Sequence, residues 1–276
     1  MTTVAASEIL APGVLRSRLL SEVSGVVHGV TGRVPGLGLA DGNIGYSAPR
    51  DVHDAWAMRR RWSAAIGVDP ERLVAASQVH GATVARVEDG DAGRGARPGG
   101  PKVARADALM TDRPDVPLLS LHADCVPILL IDPRRPAVAV VHAGWRGTVA
   151  DVVGATVRAM SDAYGSQPAD LLAFVAPAIG PCCYEVGSEV IAAWEGRAGN
   201  DASLALVSDR SILNLPEANA LLLRRAGIPD GHIEQSGVCT RCGGLEWFSH
   251  RGQGPTTGRF GALVAIIAPS VGGAGR

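Results

Sequence analysis

The sequence predicts an α+β fold in which helices cover a largely antiparallel or mixed sheet. Three observations carry this. The runs "VPLLSLH", "VPILLID" and "AVAVVHA" follow one another across very short gaps. Such gaps suit antiparallel neighbours and leave no room for helical crossovers. Segments such as "DVHDAWAMRRRWSAAI" carry apolar residues at helical spacing. Strands and helices do not strictly alternate, which argues against an all-parallel α/β sheet.

Taken in order, residues 1–20 read as a loosely ordered arm and residues 21–270 as a single domain. Residues 21–46 read as short strands and Gly-rich turns, and residues 51–66 as a helix with Asp near its start. "RLVAASQVH" and "ATVARVE" read as two strands around a turn at Gly81. Residues 88–105, "EDGDAGRGARPGGPKVAR", are rich in Gly, Pro and charge, so a solvated connection is expected. The sharper alternative is a mobile flap beside a site. The three apolar runs come next, then "GWRGTVADVVGATVRAMSDAYG", a turn into an amphipathic helix. "LLAFVAPAIG" is a strand, "GSEVIAAWEG" and "LPEANALLLRRAGI" are helices, and "FGALVAIIA" is the closing strand. No fixed-period repeat stands out.

Composition narrows the function. The net charge is -1, which provides no basic field to recruit nucleic acid or acidic lipid. Aromatic residues make up 4% of the chain, too few for the stacking platforms of a single-strand groove. "MTTVAASEILAPG" lacks the charged-then-apolar pattern of an export signal. No apolar run reaches the roughly 20 residues of a bilayer span. A cytoplasmic protein with reduced thiols is therefore expected, acting on a small molecule and not on nucleic acid or membrane.

The candidate chemistry centres on His80, Cys125 and His142, each at the tip of an apolar run. A thiolate and two imidazoles are good Zn²⁺ ligands and leave a fourth position for water or substrate. Spacing alone would equally fit three unrelated residues. Context shifts the balance: Cys125 follows Asp124 in a tight turn, and His142 precedes "AGWRG", whose glycines admit a close ligand. Asp124 is a candidate proton carrier, or the partner that orients an imidazole. Arg146, Arg259 and His250 are candidates for binding an anionic substrate group. His122, at an odd offset from Cys125, is expected beside the site and not as a ligand. Cys182 and Cys183 read as small buried thiols, poorly disposed to complete a metal tetrahedron; Cys239 and Cys242 read as accessory or structural. GxGxxG, Walker and GxSxG signatures are missing, as is the common zinc deaminase pattern.

"SQVHG", "ADALMTD", "ADCVPILLIDP", "VAVVHAGWRGT", "APAIGPCCYEVG", "CTRC" and "TGR" occur in this order. Together they resemble the YfiH/LACC1 family of polyphenol oxidoreductase, or laccase-domain, proteins. The resemblance implies a layered αββα sandwich, also compared with the cysteine-hydrolase domain of a bacterial toxin. It implies zinc or copper held by His80, Cys125 and His142, in a monomer or dimer. It implies phosphorolysis of adenosine, inosine, guanosine and methylthioadenosine with phosphate, and deamination of adenosine. In that reaction, water activated by the metal would attack purine C6; in phosphorolysis, arginines such as Arg146 would hold phosphate. Two alternatives stay open. One is a Cys/His hydrolase acting on a peptidoglycan-precursor amide, and the other a non-catalytic metal- and nucleoside-binding protein. His122 stands where the family often has Thr, Asn214 and Pro216 where an Asp and an aromatic are common, and "WFSHRG" carries His250 and Gly252 in place of residues often found there. Four-electron laccase chemistry needs a histidine-rich copper cluster built largely from HxH pairs. This chain has seven histidines and no HxH pair.

Overall fold

In the computed structural model, residues 13–47, 50–207, 211–243 and 246–268 are described. The strands in chain order are β1 (Val26–Val30), β2 (Val74–Ala75), β3 (Val84–Arg86), β4 (Ala108–Thr111), β5 (Leu118–His122), β6 (Val126–Asp132), β7 (Ala137–Ala143), β8 (Leu172–Val175), β9 (Leu206–Val207), β10 (Ile212–Leu213), β11 (Ile233–Gln235) and β12 (Phe260–Ile266). The helices are α1 (Arg18–Ser21), α2 (Val52–Ile66), α3 (Trp145–Val149), α4 (Val152–Tyr164), α5 (Ser188–Ala198), α6 (Leu215–Arg225) and α7 (His250–Gln253).

Two sheets face each other. One runs β1-β12-β5-β2 and the other β11-β8-β6-β7-β4-β3. β6 shows why both faces must be covered, because every residue in it is buried. Its side chains alternate: Ile128 and Leu130 join the outer helical layer, while Leu129 and Ile131 face the other sheet. Val157 and Met160 of α4, Leu222 of α6 and Trp194 of α5 complete that outer layer. On the opposite side Met58, Trp62 and Ile66 of α2 pack against Leu119 of β5 and Leu263 of β12. Burying side chains of that size is worth roughly 1.5–3 kcal/mol each. The result is the αββα sandwich expected, with mixed sheets. Among the described residues, no helix is long and apolar enough to cross a membrane.

Four local expectations change. β2 and β3 do not form a hairpin; β2 pairs parallel with β5 and β3 parallel with β4, so Gly81 joins opposite sheets. β5 and β6 also part company, since β5 pairs with β12 while β6 forms its hairpin with β7. The helix expected after "GWRG" is broken in two. Asp151 takes a left-handed conformation (φ 62°) and its carboxylate accepts from Gly154 N–H, which starts α4 afresh. Residues 94–102 are not merely solvated. Arg59, 1% exposed, donates from Nη1 to the carbonyls of Gly95 (2.7 Å) and Ala96 (2.9 Å), and Ala96 is itself buried. Of the arm expected at the start, residues 1–12 lie outside the described residues. Beyond them, Leu15 pairs with Val30, and Ser17 donates from its N–H to His28 Nε2 and from its hydroxyl to Glu234.

A buried amide steadies the segment that follows β7. Asn219 of α6 donates to the hydroxyl of Thr148 in α3 (3.0 Å), and Thr148 donates to the carbonyl of Gly144 (3.0 Å). Asn219→Ala is expected to cost about 1–2 kcal/mol of stability. Denaturant unfolding will read this as a lower midpoint with an unchanged slope.

Candidate functional site

The site lies at the seam between the sheets. Cys125 sits in the turn through which the chain passes from β5 to β6. Asp124, just before it, holds φ at 87°, a strained value for a residue with a side chain. His142 lies near the end of β7, paired opposite Pro127. His80 lies in the loop after β2, also with positive φ (61°). The ligand atoms of His80, Cys125 and His142 all fall within 4.8 Å of one another. The two imidazoles meet edge to face, with centroids 4.9 Å apart. Gly144 is required here, because a Cβ on it would come within 3.0 Å of both Cys125 Sγ and the His80 ring.

Asp107 organises the cluster, and the sequence reading assigned it no role. Its carboxylate accepts from His142 Nδ1 (2.9 Å) and from the backbone N–H groups of His80 (2.9 Å) and Gly81 (2.7 Å). One buried anion thus fixes the His142 ring and bends the loop that presents His80. Burial works against its ionisation, but the bonds from His142 and Gly81 hold it below the usual carboxylate range. His122 is buried beside the cluster, as expected. It contacts Ser120 Oγ (2.6 Å) and the Cys125 carbonyl (3.1 Å) through its ring nitrogens, and stacks on Phe260.

Burial alone would raise the Cys125 thiol. The neighbouring His142 charge and hydrogen bonds from His142 and His80 outweigh it and bring the thiol down to about 6. Burial likewise opposes a charged His142, but Cys125 and Asp107 raise it to about 9. A thiolate–imidazolium pair therefore spans the interval between those values in metal-free protein. Iodoacetamide should alkylate Cys125 at a rate that climbs as pH rises through about 6, where the thiolate forms. Peptide mass mapping across a pH series checks this. His142→Ala should move the midpoint upward, toward that of an ordinary thiol.

A cleft of about 860 Å³ opens above the three residues. Its wall includes Asp124, His250 and Arg259, three of the other candidates. Arg59, Arg97 and Lys102 add further positive charge that was not singled out from sequence. Arg146 is not among the lining residues; it is exposed, with its guanidinium 4.4 Å above the Trp145 ring. Both Asp124 oxygens already accept hydrogen bonds, from Thr240 Oγ1 (2.7 Å) and Arg251 N–H (2.6 Å). The carboxylate that orients an imidazole is Asp107, not Asp124.

The donor set suits one borderline-soft cation. A preformed thiolate and two imidazoles, one braced by a carboxylate, make a three-ligand site with room for a fourth partner. A second thiol cluster corrects the reading of Cys182 and Cys183 as buried thiols. Cys182 is exposed and Cys183 half-buried, and their sulfurs converge with those of Cys239 and Cys242. These two groups are the His/Cys-containing metal-ligand clusters found among the described residues. Neither resembles a histidine-rich copper cluster.

Several known proteins are similar to this chain along most of its length. The family model described as multi-copper polyphenol oxidoreductase laccase matches residues 27–267. The purine nucleoside phosphorylase YlmD of Geobacillus stearothermophilus is 36% identical over 247 residues, covering 87% of this chain and 90% of that protein. The adenosine deaminase RL5, from an unknown prokaryotic organism, is 33% identical over 197 residues, covering 70% and 75% respectively. The crystal structure of Bacillus licheniformis YfiH superposes with a TM-score of 0.86 at 33% identity, covering 94% of this chain and 98% of that one.

Proposed function

Because this chain belongs to the multi-copper polyphenol oxidoreductase laccase family, whose relatives include named purine nucleoside phosphorylases and an adenosine deaminase, we propose that it is a metal-dependent purine nucleoside enzyme. It cleaves purine nucleosides with phosphate and deaminates adenosine. The observation that carries this is the convergence of His80, Cys125 and His142 on the floor of a basic cleft. These three residues would hold the cation, with zinc preferred over copper because neither reaction changes an oxidation state. When bound, the cation supplies Lewis acidity toward water or a substrate oxygen.

The protein's own groups supply the rest. Asp107 keeps the His142 Nδ1 proton in place, so that Nε2 faces the cation. Asp124 borders the cleft beside Cys125 and, despite its two hydrogen bonds, retains acceptor capacity for a proton from attacking water. Arg259, with Lys102 also in the cleft wall, holds dihydrogen phosphate against ribose C1′; a phosphate oxygen bonds C1′ as the C1′–N9 bond breaks, and the purine leaves with the proton that the phosphate gives up. Exposed His250 borders the same cleft and contacts the substrate at its open side. We place this activity in the cytoplasm, in keeping with five free cysteines.

One observation favours a second reading. Cys125, His142 and Asp107 also form the thiolate–imidazole–carboxylate series of a cysteine hydrolase, which would act on an amide such as that of a peptidoglycan precursor. Chromatography of adenosine incubations separates the readings. Adenine formed only with phosphate, and inosine formed with or without it, both absent in Cys125→Ala, are expected. Metal-free wild type that turns over no nucleoside, yet cleaves an amide through a covalent Cys125 adduct, would replace the first reading with the second.

A further inference from the structure

Cys182, Cys183, Cys239 and Cys242 lie apart from the cleft floor, and the proposed chemistry does not use them. Their four sulfurs fall within 4.8 Å of one another, with Cys182 and Cys242 at 3.3 Å. Two backbone devices bring them together. The chain turns tightly at Gly180, whose carbonyl accepts from both Cys183 and Tyr184 N–H, and a β-bridge pairs Ala178 with Cys239. We propose that these four cysteines form a second, structural metal site that binds one Zn²⁺.

The chemistry fits in three ways. A Zn–S bond of about 2.3 Å sets the sulfurs of a tetrahedral site about 3.8 Å apart, within the spacing seen. Cys239 Sγ accepts a backbone N–H from Gly180 at 3.2 Å. A backbone N–H aimed at the sulfur suits a thiolate, whose charge it shares; a disulfide sulfur carries no such charge. Four converging sulfurs also repel one another once ionised, and a divalent cation removes that repulsion. Arg241 and Arg251, with Glu185, border the neighbouring depression and leave the net positive charge that an anionic zinc–thiolate centre favours.

The site would act on the cleft without touching its floor. Thr240, inside the "CTRC" turn, donates to Asp124. Ile179, just before Gly180, donates its N–H to the Asp124 carbonyl. Tyr184 lines the cleft and lies under Arg251. A cation tying residues 182–183 to residues 239–242 would clamp both segments that fix the turn before Cys125.

The test is elemental analysis of the full chain after zinc-supplied expression and dialysis. Wild type should carry about two zinc ions per chain, while His80→Ala/His142→Ala and Cys239→Ser should each keep about one. Zinc retained by the double histidine variant supports the second site even if the nucleoside reading fails. Zinc lost entirely from that variant overturns it, while leaving the His80–Cys125–His142 site intact as a proposal. Should Cys239→Ser fail to fold, stepwise thiol modification of the double histidine variant decides: zinc release in step with modification of four thiols is expected. A Cys182–Cys242 disulfide, seen as an intact mass lighter by two hydrogens and no zinc at these cysteines, overturns the proposal.

Discussion

Asp107→Asn should weaken metal binding by about 10–100-fold and lower nucleoside turnover by at least as much. The amide keeps the size of the side chain and removes its charge. It also turns a donor toward a pocket that already holds four: His142 Nδ1 and the N–H groups of Val79, His80 and Gly81. His142 would lose the acceptor that fixes its tautomer, and the His80 loop would lose an anion that supports positive φ. Chelator competition gives the dissociation constant, and turnover at saturating metal separates lost affinity from lost positioning. A variant that binds metal as tightly as wild type would show that Asp107 is only a structural anchor.

Arg259→Gln should raise the KM for phosphate by about 10–100-fold, the equivalent of losing a charged hydrogen bond of roughly 1.5–3 kcal/mol. Arg259 is half-buried in the cleft wall, and its Nη1 donates to the carbonyls of Thr257 and Gly258 (both 2.8 Å). Among the described residues, no carboxylate forms an ion pair with it, whereas Arg97 in the same wall is paired with Glu71. A guanidinium steadied by neutral carbonyls keeps its charge for a ligand. Deamination consumes no phosphate, so its rate should change far less than that of phosphorolysis. Equal losses in both reactions would point to a collapsed wall and remove Arg259 from the phosphate site.

The sequence was most legible where one side chain repeats a pattern. The all-buried β6 and β7 announce themselves as apolar runs, and the α2 face by its helical period. His80, Cys125 and His142 were visible as rare residue types at the ends of apolar runs. Pairings between distant segments were not, because nothing local in "RLVAASQVH" or "ATVARVE" says that they join opposite sheets. Asp107 escaped for a related reason: its partners lie 26 to 35 residues away in the chain. Arg59 did leave a trace. It shares one face of α2 with Ala55, Trp62 and Ile66, all buried, and a cation on such a face needs acceptors from elsewhere. Arg146 stands differently: it is exposed, lies over Trp145 and is outside the residues that line the cleft. Cys182 and Cys183 were misread because solvent exposure and sulfur convergence depend on a turn and a bridge that spacing does not encode.

The order of the four-stranded sheet bears on how the chain folds as it is made. β12 lies between β1 and β5, so β1 joins the β5–β2 pair only when the last described strand arrives. β6 and β7 can close at once as a local hairpin. β1 must wait across more than two hundred residues, and contacts of such sequence separation form late and slowly. Phe260, the first residue of β12, pairs with His122, and Arg259 immediately precedes it. During synthesis, then, the edges of β1 and β5 that β12 joins stay unpaired until almost the whole domain has emerged. Chaperone dependence should concentrate in that interval, and the cleft gains its final wall only as the sheet closes.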